Sequence, residues 1–139
     1  MSATLPEIYL DAAATTPPLP AVIDAVTTVQ RMAWGNPSSL HRCGQSAAEV
    51  LERSRLAIAA LLGADRDDVI VTSGATESIH LALLGSAACL MSGRLVISAV
   101  EHPAVSAAAK CLELMGWECV HWPVDHQGVI RLDRLEELL

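Results

Sequence analysis

The spacing of apolar residues changes partway along this chain, and the change marks two kinds of structure. In the first half the period is helical. Pro20 suits a first helical position, and Val22, Val26 and Val29 follow on one face, so a helix is expected from Pro20 to just before Gly35-Asn36-Pro37. Gly35 to His41 reads as a loop. A second helix is expected from Gln45 to Leu62, with Val50, Leu51, Ser54, Ile58, Leu61 and Leu62 on one stripe and Gly63 placed to stop it. Ahead of both, Ile8-Tyr9-Leu10 is extended and leads into Asp11-Ala12-Ala13-Ala14-Thr15-Thr16-Pro17-Pro18, where paired prolines forbid a helix.

Beyond Gly63 the pattern becomes strand–helix alternation. Strands are expected at 69–72, 95–99 and 118–122, with helices at 76–90 and 103–115 between them and a last helix beginning near Leu132. The intervening segments have the length that parallel strands need. The expected class is therefore α/β, a three-layer partial parallel sheet with flanking helices. Right-handed crossovers put both intervening helices on one face, and an N-terminal helix is left to cover the other. The chain reads as one domain over 1–139: an arm, helix and loop over 1–44, then a helix and a βαβαβ unit over 45–139.

Composition strengthens one part of this picture. Of the 139 residues 52% are hydrophobic, roughly 58% once the eight glycines are counted, against ~45–50% in an average globular domain. Much of that surface must face a covered sheet or pack on something else. A net charge of −7, with no basic stripe, argues against nucleic acid and against an anionic membrane as partners. No apolar run reaches the ~18 residues of a membrane span, and no secretory pattern opens the chain. The four cysteines, Cys43, Cys89, Cys111 and Cys119, form no C-x-x-C pair. Three of them fall in apolar elements, where they read as small hydrophobes of a reducing, cytoplasmic protein.

Two loops carry candidate chemistry. Ligands of open parallel sheets bind beyond the carboxyl ends of the strands. There the turn Ser73-Gly74-Ala75-Thr76 opens a helix, offering unpaired N–H groups, hydroxyls and the positive end of a helix dipole to an anion. Gly74 and Ala75 are small enough to let the backbone come close. His102, ahead of Pro103 and biased toward an extended conformation, stands after the next strand and presents a flat ring near the same edge. Both features also have plainer readings. The first turn fits an ordinary N-cap, with Glu77 in a capping-box position, and His102 fits a capping or surface residue.

Longer wording goes beyond spacing. Tyr9-Leu10-Asp11-Ala12-Ala13-Ala14-Thr15-Thr16-Pro17, Gly35-Asn36-Pro37-Ser38-Ser39-Leu40-His41, Thr72-Ser73-Gly74-Ala75-Thr76-Glu77-Ser78 and Glu101-His102-Pro103-Ala104-Val105 occur in that order. Together they resemble the N-terminal part of cysteine desulfurases, pyridoxal-phosphate enzymes of the class V aminotransferase fold, in the nitrogen-fixation and iron–sulfur-cluster branch. The resemblance implies the start of a fold type I large domain with pyridoxal 5'-phosphate as cofactor. It places Gly74, Ala75 and Thr76 at the cofactor phosphate and His102 against the pyridine ring. It further implies L-cysteine as substrate, a sulfur-acceptor or scaffold protein as partner, and a homodimer when complete. Ala12 departs from the family's usual Asn, and Ile79-His80 from its usual Asn pair.

The same resemblance marks what is not here. Pyridoxal-phosphate chemistry needs a lysine amine. The one lysine, Lys110, falls mid-helix at no family catalytic position and reads as a surface residue. The family's Schiff-base lysine, its pyridinium-pairing aspartate and its persulfide cysteine all come from later in the chain. The expectation is a first portion of a larger enzyme, oligomeric or poorly soluble in isolation and inactive alone. The rivals are another class V enzyme, such as a selenocysteine or cystine lyase, and a non-catalytic remnant that binds a partner.

Overall fold

The computed structural model describes residues 8–138. They form two compact units, one ending at Ile70 and one beginning at Val71.

The first unit is helical. Its helix α1 spans Pro20–Met32, with Pro20 at the first position as expected, and buries no residue. Helix α2 spans Arg42–Leu62, three residues longer at its start than its periodicity indicated. The reason is local: His41 supplies a cap, its Nδ1 accepting from the Gly44 N–H at 3.3 Å. The 35–41 loop folds tightly against this first turn. A Cβ on Gly35 would stand 2.3 Å from the Cys43 carbonyl oxygen, and one on Gly44 would stand 2.2 Å from that of Ser39. Glycine is thus required at both positions by close packing. At the other end Gly63 adopts φ +65°, and the Ala64 N–H returns to Ala59 O at 3.0 Å, the left-handed stop anticipated from the sequence.

The buried stripe of α2 differs from the expected one. Gly44, Ala47 and Ala59 are buried, whereas Ile58, Leu61 and Leu62 are exposed, Leu61 at 87%. The apolar pattern marked a face that no described residue covers. The covered face instead carries Arg55, which donates to Val69 O at 3.0 Å and Arg66 O at 3.2 Å and pairs with Glu52.

That bond bears on a second correction. Val69 to Thr72 was expected to be a strand, and among the described residues it has no ladder partner. Its β-branched residues have the propensity, but a strand is a pairing and its neighbour is non-local. The Val69 carbonyl is taken by Arg55, and its N–H by Arg66 O at 3.2 Å.

The second unit holds helix α3, Ala75–Ala88, strand β1, Arg94–Ser98, helix α4, Pro103–Leu114, and strand β2, Glu118–Trp122. A short 3-10 turn, Leu132–Arg134, leads into helix α5, Leu135–Leu138, where a last helix was expected. The strands pair in parallel from Arg94↔Glu118 to Ser98↔Trp122, with α4 as the crossover. The α/β class and the parallel sheet agree with the sequence reading. Helix α4 packs against both strands and against α3. Its Ala104, Ala108, Ala109 and Leu112 are buried with Ile97 of β1, and Leu112 is 1% exposed. Alanines on that face let the helix lie close to the sheet, which suits a chain with no phenylalanine.

Among the described residues only one edge of β1 is paired. Along its length lies an apolar cleft of about 460 Å³, lined by Leu95, Val96, Ile97 and Ser98 with α3 and α4 residues above them.

Candidate functional site

Two strand-to-helix turns in the second unit carry the residues singled out by sequence. At the first, Gly74 is the N-cap of α3 and makes no side-chain cap. Its backbone is extended, at φ 163° and ψ 178°, and an added Cβ would meet nothing within 4 Å. The turn is therefore made without a left-handed residue, and the space at Gly74 is open. The N–H groups of Ala75, Thr76 and Glu77 precede the first intrahelical bond, which runs from the Ser78 N–H to Gly74 O at 3.1 Å, and no protein acceptor among the described residues meets them. They are the donors that an anion at this helix end would use.

Ser73 is not free to join them. Its N–H and its hydroxyl both donate to Glu77 Oε2, each at 2.6 Å. These two bonds hold the Glu77 carboxyl below its ordinary range, the hydroxyl contributing most. The expectation that the Ser73 hydroxyl adds a donor for an anion is thus corrected. Thr72 and Ser78 form a second tie, their hydroxyls 2.6 Å apart and both reaching Gly74 O. Sequence reading saw Glu77 only as a capping residue and missed these ties; the i, i+4 spacing of Ser73 and Glu77 marks that pair as within reach, and the Thr72–Ser78 tie has no such signal. His80 was likewise noted only as a departure from the family wording. Its Nδ1 lies 2.9 Å from Thr76 O, and since a carbonyl only accepts, that nitrogen carries the proton.

At the second turn, His102 is the N-cap of α4, extended at φ −59° and ψ 144°, with Pro103 after it. Its Nδ1 accepts from the Ala104 N–H at 3.1 Å. The plainer capping reading is thus realised, and it does not compete with a ring-facing role. The bond fixes the imidazole relative to the helix and leaves Nε2 without a hydrogen-bond partner among the described residues, while His102 is exposed. Glu101 beside it accepts from Ser98 Oγ at 2.9 Å, tying the loop to the end of β1.

The β1 cleft relates these turns. It is lined by Ile79, one turn beyond Thr76, and by Glu101 and Val105, which flank His102 on either side in sequence. None of Gly74, Ala75, Thr76 or His102 lines it. Ile79 continues the helix that the first turn opens and Glu101 belongs to the second turn, so the lining reaches residues adjoining both.

The remaining candidates sort themselves by exposure. Lys110 is exposed on α4, as expected. Of the cysteines expected to act as small hydrophobes, only Cys119 does so. It is half-buried, it donates to Ala109 O at 3.3 Å, and burial, with Glu113 nearby, pushes its thiol up. Cys89, the C-cap of α3, and Cys111, on a face of α4 that nothing described covers, are exposed. No group of three or more His, Cys, Asp or Glu able to hold a metal occurs among the described residues, and none of their helices is long and apolar enough to cross a membrane.

Comparison with known proteins gives this geometry a context. Residues 8–139 match the aminotransferase class-V family. Cysteine desulfurase IscS of Dictyoglomus turgidum (strain DSM 6724 / Z-1310) is 39% identical over 135 residues, which is 96% of this chain and 34% of that protein. Among solved structures, a NifS-like protein superposes with a TM-score of 0.81 at 32% identity, covering 91% of this chain and 35% of its own. The structure of SspA in complex with cysteine gives a TM-score of 0.80 at 29% identity, covering 91% and 37%. The chain spans about a third of the length of the curated relatives it matches. With a match over nearly its whole length, the chain belongs to the aminotransferase class-V family.

Proposed function

We propose that this chain supplies the phosphate handle and ring support of a pyridoxal 5'-phosphate-dependent cysteine desulfurase. One observation carries the reading. The N–H groups of Ala75 and Thr76 at the start of a 14-residue helix have no acceptor among the described residues, while the turn that opens α4 presents an imidazole fixed through its Nδ1. Those donors fit a phosphate monoester, and the exposed hydroxyl of Thr76 adds a third. The imidazole fits one face of a planar heteroaromatic ring. The chemistry the cofactor supplies when bound is electron withdrawal from the substrate's α-carbon. The residues of this chain bind and orient. Ala75 and Thr76 anchor the phosphate, the α3 dipole favours its charge, and His102 limits tilting of the ring.

The activity assigned to the complete assembly is removal of sulfur from L-cysteine, leaving alanine and a persulfide for a sulfur-acceptor or scaffold protein, in a cytoplasmic homodimer. Support comes from the curated relatives, which are cysteine desulfurases, and from the neighbour solved with cysteine. The exposed Lys110 lies two turns into α4 and is no part of either turn. Neither turn therefore supplies the lysine amine that pyridoxal-phosphate chemistry needs.

The test is co-expression with a polypeptide matching the remaining two thirds of the Dictyoglomus relative. The pair should purify with stoichiometric pyridoxal phosphate and, with a thiol reductant supplied to cleave the persulfide, release sulfide from L-cysteine, and the chain alone should not. Sulfide release by the purified chain alone, or a co-purified pair that takes up no cofactor, contradicts the proposal.

A further inference from the structure

The two side-chain ties at the start of α3 divide the turn's polar groups into two sets. Thr72, Ser73, Glu77 and Ser78 bond to one another or to Gly74 O. Ala75 and Thr76 direct no backbone N–H to any described acceptor. Glu77 stands at the junction. A carboxylate on the third residue of a helix lies where the dipole favours negative charge, and it would compete with an incoming phosphate for the first-turn N–H groups. Here it does not. One of its oxygens is committed backward to both donors of Ser73, outside the helix, at 2.6 Å each.

We propose that Glu77 is a positioning residue of the phosphate site. By holding Ser73 it keeps the turn closed and its own charge occupied, so that the amides of Ala75 and Thr76 stay available to the phosphate. This rests on the phosphate reading above and assigns Glu77 no contact with the cofactor. The depressed carboxyl agrees with the arrangement, since two hydrogen bonds favour the charged form.

The role makes a demand that helix capping alone does not. A residue that only stabilises the helix would change its helicity and leave phosphate affinity unmoved. A residue that shapes the turn must be replaceable by any side chain of equal length that accepts from Ser73, whether or not it is charged. Glutamine qualifies, because its carbonyl oxygen accepts from Ser73 without a carboxylate.

The experiment is equilibrium dialysis of inorganic phosphate against the full chain and three variants, with amide hydrogen exchange followed over residues 73–78. Glu77→Ala should weaken phosphate binding about tenfold and speed exchange at Ser73. Glu77→Gln should bind phosphate at least as tightly as the unaltered chain. Ser73→Ala loses one of the two bonds, leaves α3 intact, and should fall between them; it keeps the test decisive if Glu77→Ala unfolds. Unchanged phosphate affinity in both Glu77→Ala and Ser73→Ala overturns the positioning role while leaving the phosphate reading standing. So does a Glu77→Gln chain as weak as Glu77→Ala. An unaltered chain that binds no phosphate sinks the phosphate reading itself, and this inference with it.

Discussion

The turns that open α3 and α4 solve the same problem in opposite ways. Each must satisfy the N–H groups left over at a helix start. At α4 the chain does so from the N-cap, where His102 turns its own Nδ1 onto the Ala104 N–H and Pro103 removes a donor altogether. At α3 the N-cap is a glycine with no side chain, and the one acidic residue of the first turn reaches backward to Ser73. The α4 turn is thus closed to an anion and displays a ring. The α3 turn is held from behind and left open in front. Helix polarity alone would have made them equivalent anion sites; side-chain chemistry separates them, and the proposed reading makes one a phosphate handle and the other a stacking surface.

The largest effect should come from closing the α3 turn in the manner of α4. Ala75→Pro removes one N–H at the first helical position, where proline is tolerated. Phosphate affinity, measured by dialysis, should fall at least tenfold, with α-helical circular dichroism unchanged. Equal affinity would mean that the Ala75 amide is not a ligand.

His102 separates two roles in one residue. Replacing His102 by Ala should cost about 1 kcal/mol of stability through loss of the cap, and Asn should restore most of it. Neither replacement should restore retention of pyridoxal phosphate in the complementing assembly described above. If Asn recovers cofactor affinity along with stability, His102 only caps, and the contrast between the turns collapses.

A smaller effect concerns pH. The Glu77 carboxyl is held below its ordinary value of 4.5 by Ser73, hydroxyl first and N–H second. A carboxyl depressed in the folded state contributes stability that is present above its unfolded value and is lost as pH falls through the folded one. The Ser73 tie should therefore persist from neutral pH down to the ordinary carboxylate range and loosen only below it, read as faster exchange of the Ser73 amide relative to its intrinsic acid rate. Loosening that begins near pH 6 would point to a different group. The smallest effect belongs to Lys110→Ala, which should leave both phosphate binding and assembly activity unchanged.

Much of this was legible in the sequence, for reasons that differ by residue. Pro20, Gly63 and Pro103 act on their own backbone, so the helix limits they set were readable directly. The parallel pair β1–β2 followed from an apolar run, a helix-length crossover and a second run. The Val69–Thr72 segment was misjudged because composition reports propensity, whereas a ladder requires a neighbour that no local pattern specifies. The stripe on α2 failed similarly: periodicity finds an apolar face, and only packing decides whether that face is covered. At the two turns, wording pointed to Gly74, Ala75, Thr76 and His102 and gave each an expected role, but not the ties that Thr72, Ser73, Glu77 and Ser78 make behind the first turn. Which acceptor claims Ser73 depends on a side-chain rotamer, and the 2.6 Å bonds to Glu77 appear only in three dimensions.

The central claim is that the α3 turn reads phosphate and the α4 turn reads a ring. Residue-resolved amide exchange of the chain, with inorganic phosphate, pyridoxal and pyridoxal 5'-phosphate added in turn, tests it most directly. Ala75 and Thr76 should gain protection with phosphate and with pyridoxal phosphate, and show none with pyridoxal. Protection by pyridoxal equal to that by pyridoxal phosphate, or no protection at Ala75 and Thr76 by any of the three, would contradict the account.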